Sequence, residues 1–403
     1  MCYAISVAET RDRIDMRWLS ITLFGLAGAV ASDSVPAVQT DLSVTFTQHV
    51  APLFRDHCVS CHRSGGVGPF SLTSWQEANS KAATIREVVT HGRMPPWHAD
   101  PHFGRFSNDR RLLDEEIAVI AAWVDAGAQR GDGNDRISPK SQPGWRIGRP
   151  DLVLSMPETA QVPAAEVLPY QYYETPTGLS SDRWVSAIEA RPGNGAVVHH
   201  ILVYVRDPDL SFEEQRALGL GGGMIAGYAP GNVPLTFKPD TAMLLPANAT
   251  LLWQLHYTPT GKAETDRSQL GIKFASRPPQ YEHRTATALN TRFAIPPGTS
   301  NHRVQSQYTF PADAWMTSLT PHMHLRGKSF IYEARYPNGQ RETLLSVPRY
   351  DFNWQTTYIL DAPKPMPAGT QIKCTAHYDN STSNPFNPDP GSRVTWGDQT
   401  WDE

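Results

Sequence analysis

Hydrophobic positions along this chain follow two rhythms. From about residue 40 to 130 the spacing is helical. Leu113, Ile117, Ile120 and Val124 fall on one face, and Gly127 follows as a stop signal. Residues 132–149 are polar and rich in Gly and Pro, which predicts a linker. From about 150 onward the apolar residues gather in short runs: 197–205, 243–257, 305–319, 330–336 and 371–378. Pro, Gly, Asn or Asp bounds each run, the texture of antiparallel β-sandwiches. One earlier run, Leu19 to Val30, follows Met16-Arg17 and precedes the small-x-small triplet Ala29-Val30-Ala31. That pattern predicts an export signal within residues 1–31, with Ser32 as the first mature residue. Glu9, Asp12 and Asp15 suit a signal poorly, so Met16 is read as its start. The run is too short to span a bilayer comfortably. The expectation is a periplasmic or secreted protein with no stable membrane span after signal cleavage.

Composition narrows this picture. A chain of 403 residues has room for roughly two to three domains. With 34 Pro and 29 Gly, turns and short strands are favoured over long helices. A net charge of −4 leaves no basic footprint for nucleic acid. Of the four cysteines, Cys58 and Cys61 belong to one motif, and Cys2 lies ahead of the signal. Cys374 is left without a partner, so no disulfide framework is expected.

Cys58-Val59-Ser60-Cys61-His62 is a C-x-x-C-H motif. Two thiols can bond the haem vinyl groups, and the adjacent imidazole can reach the iron. A zinc or redox dithiol is the competing reading, but no second Cys/His pair stands nearby at zinc spacing. One covalent haem c is the expectation. Met94, in the Pro-stiffened loop Gly92-Arg93-Met94-Pro95-Pro96-Trp97, is the favoured sixth ligand. His91, His98 and His102 compete with it, and each would lower the reduction potential that a thioether raises.

The β-region carries His199, His200, His256, His283, His302, His322, His324 and His377. His322 and His324 are expected on one face of a strand, where both can meet one metal. Adjacent His199 and His200 should point to opposite faces unless a twist or bulge intervenes. Any one of these could equally be a hydrogen-bonded core residue. Together, in an exported chain, they suit copper or zinc. A zinc hydrolase is the weakest reading because H-E-x-x-H is absent.

The stretch from about 184 to the end resembles the copper type II, ascorbate-dependent monooxygenases. That family includes the peptidylglycine α-hydroxylating and dopamine β-monooxygenases, and the match is closest to a bacterial branch fused to a cytochrome c domain. The carrying segments are VVHHILVYV (197–205), GYAPG (227–231), LLWQLHYTPTG (251–261), TPHMHLRGK (320–328) and WGDQTWDE (396–403). The resemblance implies a small all-α cytochrome c domain (38–131) followed by two antiparallel, jelly-roll-like β-sandwich domains (150–282 and 283–403). It implies two coppers. His199, His200 and His256 would hold the electron-transfer copper, and His322 and His324 the catalytic one. The family's third catalytic ligand is a Met just after an Asp-Glu pair. Here the sequence stops at Asp402-Glu403, so the second sandwich is read as truncated; Met316, Met323 and Met366 do not match that motif. Thr320 stands where peptide-hydroxylating members carry a carboxylate-binding Arg, which argues against a peptide carboxylate. The implied activity is hydroxylation of a C–H bond of a small organic substrate by O2, with ascorbate or a redox protein as donor and the haem as electron entrance. The alternative is a copper- and haem-binding electron-transfer protein without oxygenase activity.

Overall fold

The computed structural model describes residues 4–10, 44–138, 144–217, 223–397 and 399–403. The apolar run Leu19 to Val30, the cleavage triplet and Cys2 lie outside them.

The helical rhythm yields a π-helical turn, Phe46–Val50, that runs into helix Ala51–His57 with a proline in its first turn, then Trp75–Asn79, Ala82–Thr90 and Asp114–Asp125. Ser74 caps the second helix by accepting from the Glu77 N–H. Asp114, Glu115 and Glu116 sit in the first turn of the last, where the helix dipole favours negative charge. Its buried side chains are Ile120 and Trp123, with Ile117 and Val124 half-buried. Leu113 departs from the expected stripe. It is the residue before the first turn and is 64% exposed. Phe46, Phe54 and Trp123 form the aromatic centre of this unit, with Phe46 edge-on to Phe54 at 5.9 Å.

The β-region forms two layered bodies. In the first, a four-stranded sheet runs in the order Gln171–Pro176, Thr250–Tyr257, Val198–Val205, Met224–Tyr228. Its inner face, including Ile201, Val203, Leu251 and Trp253, packs on Val185, Ile188, Leu270 and Ile272 of a second sheet. In the second body, His302–Thr309, Gln371–Tyr378, Gly327–Arg335 and Arg341–Val347 form the four-stranded layer. Phe330, Tyr332, Ile372 and Ala376 from that layer meet Met316, Leu319 and Tyr358. The two backing layers are continuous. Tyr281–Thr287 pairs in parallel with Thr241–Leu245, so among the described residues they make one nine-stranded sheet. Residues 4–10, inside the region read as a signal, form a strand between Tyr281–Thr287 and Ala314–Thr320.

Most runs became strands close to where they were expected; Gln371–Tyr378 matches its run end to end. Two runs are split. Asn248, at φ 55°, turns the 243–257 run into Thr241–Leu245 and Thr250–Tyr257. The 305–319 run divides into His302–Thr309 and Ala314–Thr320.

The helical unit is not self-contained. Trp97, Ala99 and Phe106, from the loop between its helices, are buried in the core of the second β-body. Trp97 stacks edge-on to Tyr358 at 4.9 Å, and Phe106 forms a β-bridge with Leu360. The Asp100 N–H donates to the Ser346 carbonyl, and Ser107 N–H to Ile359. Both halves of the expected linker are also docked. Ile137 is buried in the helical core, and Trp145 lies so close to Gly271 that a Cβ there would come within 2.7 Å of its ring.

Candidate functional site

The C-x-x-C-H segment leaves helix Ala51–His57 directly, with the Cys58 N–H bonded to Phe54. His62 Nδ1 lies 3.1 Å from the Phe70 carbonyl. A carbonyl only accepts, so Nδ1 carries the proton and the Nε2 lone pair is left for a metal. Burial holds the His62 pKa below its ordinary value, which keeps the ring neutral. Gly68 is required here, because a Cβ would stand 2.7 Å from His62 Nδ1. These features fit an axial haem ligand. Met94 is half-buried in the loop after Ala82–Thr90, its N–H bonded to Val88. Two of its competitors have other partners: the exposed His91 and His102 pair with Glu87 and Asp100. Burial is the main cause that lowers the pKa of the third, His98.

The haem segment abuts the first β-body. Tyr228 lies near Cys61, and burial together with Cys61 pushes its phenol up to about 12. The loop at Gly65 reaches Gly195, just ahead of strand Val198–Val205. Tyr228 pairs with Ile201, the neighbour of His200.

His199, His200 and His256 converge. His200 pairs with His256 across the ladder, but the next pair is Val198 with Tyr257, so the ladder bulges at His199. The bulge supplies the bend that adjacent histidines need to face one point. His256 Nδ1 lies 3.2 Å and His200 Nδ1 3.4 Å from His199 Nδ1. One ligand atom from each of the three lies within 4.8 Å of the others. Burial is the main cause that lowers all three pKa values, His199 to about 4, His256 to about 3 and His200 well below 6.5. In the tautomer with the proton on Nε2, a shared cation would take a lone pair from all three rings at once. Nε2 of His199 and His200 is buried with no hydrogen-bond partner among the described residues. The contacts among the Nδ1 atoms therefore leave a second nitrogen of each of these two rings unsatisfied.

His322 and His324 also meet, though not on a strand. Ala314–Thr320 ends before them, and they occupy the irregular segment beyond it. Their rings are 5.2 Å apart at 87°. His322 Nδ1 donates to the Gln355 side-chain oxygen at 2.8 Å, which leaves the Nε2 lone pair for a metal. Burial lowers both pKa values to about 3. Glu403 Oε1 stands 3.8 Å from His324 Nδ1, and the closing segment is latched by buried Arg326, which donates to the Trp401 carbonyl at 2.7 Å. Asp402 and Glu403 bond locally, to the Gln399 and Gly397 N–H groups.

Two rings separate the groups. Tyr170 is 5.2 Å from His200 and from His256 and 6.5 Å from His324. Phe352 stacks on His199 at 5.0 Å and lies 6.3 Å from His324. A cavity of about 760 Å³, mostly apolar, lies along the seam of the two bodies, and His200, His322 and Gln355 line it. Tyr170, Phe352 and Gln355 were missed by sequence reasoning. Each sits in an irregular segment, where no period announces a role.

Residues 47–124 match the family model described as cytochrome C oxidase, cbb3-type, subunit III. This part of the chain is a cytochrome c domain, which carries covalent haem c and exchanges electrons with a redox partner. Cys58, Cys61 and His62 lie within the matched segment. No curated protein matches the chain. A solved structure of vicilin from Capsicum annuum aligns at 8% identity over 57% of this chain and 78% of its own, with a TM-score of 0.12, too low to carry any argument. No helix among the described residues is long and apolar enough to cross a membrane.

Proposed function

We propose that this chain is a haem- and copper-dependent monooxygenase that hydroxylates a C–H bond of a small, largely apolar organic molecule. The observation that carries the reading is the gathering of five neutral histidines in two groups beside one apolar cavity. The balanced reaction consumes substrate, O2, two electrons and two protons, and releases the alcohol and water. Bound at the two groups, copper would supply one-electron steps and oxygen activation. His199, His200 and His256 would hold one ion, with the bulge fixing their angle. His322 and His324 would hold the other, with Gln355 orienting His322. The Glu403 carboxylate, 3.8 Å from His324 Nδ1, would stand beside that ion. The apolar cavity walls exclude water from the bound substrate. Electrons would enter at the cytochrome c domain, with Tyr228 lying between the Cys61 segment and the strand of His200.

A second reading is electron transfer without oxygenase chemistry. It is favoured by one observation: among the described residues, His199, His200 and His256 form a trio of ligand atoms within 4.8 Å of one another, and His322 and His324, with Glu403 beside His324 alone, do not. Oxygen uptake separates the two. Hydroxylated product in step with O2 consumption supports the first, and redox cycling without product supports the second.

A further inference from the structure

The cavity has a polar group far from the paired histidines. His283, on strand Tyr281–Thr287, lines the cavity and is 2% exposed. Its ring lies against Phe237, centroids 4.4 Å apart. Its Nε2 has no hydrogen-bond partner among the described residues. A buried polar atom without a partner costs about 1–3 kcal/mol, so its retention calls for a role. Register places it. Ala8 pairs with both His283 and Trp315, so His283 is level with Trp315, five residues before Thr320. Strand rise puts His283 roughly 15 Å from the His322 end. Alternation sends Tyr281, His283 and Thr285 to the same wall.

The remaining lining argues against a charged ligand. Its two charged residues, Lys238 and Asp361, are exposed at the rim. The volume, about 760 Å³, is within the range of small-molecule sites.

We infer that His283 is a specificity-determining residue that hydrogen-bonds a single oxygen of a neutral, largely apolar substrate, at the end remote from the carbon presented to His322. The substrate class is a neutral alcohol or ketone with an apolar body. An imidazole can donate to a carbonyl or accept from a hydroxyl. The assignment rests on the oxygenase reading for what is done to the substrate, but binding can be read without turnover.

The test uses the full haem-loaded chain and three matched probes: 4-phenyl-1-butanol, butylbenzene and 4-phenylbutyrate. Dissociation constants are measured by calorimetry. The alcohol should bind about five- to tenfold tighter than the hydrocarbon, the yield of one hydrogen bond to a buried group. His283→Phe should erase that preference while keeping hydrocarbon affinity, and His283→Gln should restore part of it. A thermal melt of each variant confirms folding, and His283→Gln serves if the Phe variant does not fold. Equal binding of alcohol and hydrocarbon by the parent protein overturns the inference. So does strongest binding of the carboxylate, or a preference unchanged by His283→Phe. None of these bears on hydroxylation, which product analysis reads separately.

Discussion

His256 Nδ1 lies 3.2 Å from His199 Nδ1 because the ladder between their strands bulges at His199. Without the bulge, His199 would project from the opposite face to His200, and no three-imidazole cluster could form. The site is thus an irregularity built into an otherwise regular sheet. Its surroundings follow from the same placement. Tyr170 and Phe352 close over the imidazoles, and the burial they provide keeps those rings neutral.

The loop between Met94 and Asp109 ties the helical unit to the second β-body, so the two should unfold together. Trp97, 5% exposed, is the centre of that contact. Trp97→Ala should cost about 3–5 kcal/mol. Urea unfolding followed by haem absorbance and by far-UV dichroism should give coincident transitions in the parent protein. Separate transitions would show that the units are independent.

Met94→His tests the sixth haem ligand. Replacing a thioether by imidazole lowers the potential, here by on the order of 0.1–0.3 V within the ~0.8 V span that axial ligands cover. A redox titration of the purified variant reads this directly. An unchanged potential would remove Met94 from the iron.

Much of the haem unit was legible because its chemistry is contiguous. Cys58, Cys61 and His62 are neighbours in sequence, and C-x-x-C-H needs no tertiary information. The strand at 371–378 was legible because Pro and Asn bracket an apolar run. The bulge at His199 was not, since register is fixed by the partner strand around His256. The burial of Trp97 and Phe106 was equally hidden. Both sit in a loop with no period, and their partner Tyr358 is some 250 residues away. His322 and His324 came together, but in an irregular segment past the strand rather than on it as their spacing suggested.

Acid should destabilise the protein in a defined window. Burial lowers the His283 pKa from 6.5 to about 3. The unfolded chain takes up a proton below pH 6.5 that the folded chain refuses until about pH 3. Stability is therefore full above 6.5 and falls as pH drops toward 3. At pH 5 the loss from this group is about 2 kcal/mol. Denaturant unfolding at pH 7 and pH 5 should show His283→Gln losing about that much less than the parent protein.

Electron entry through the cytochrome c domain predicts intramolecular transfer. Mixing haem-reduced protein with one equivalent of Cu(II) bound at the His199 site, without oxygen, should oxidise the haem at a rate independent of protein concentration. A rate proportional to concentration would mean that the contact near Tyr228 and Cys61 is not the route.

The central claim is that five histidines make two copper centres, and electron paramagnetic resonance of the copper-loaded, haem-matured chain tests it most directly. The account predicts two distinct type II Cu(II) signals, with His256→Ala abolishing one and His322→Ala the other, each with affinity at its site reduced at least about 100-fold. A single signal, or two that survive both substitutions, would contradict it.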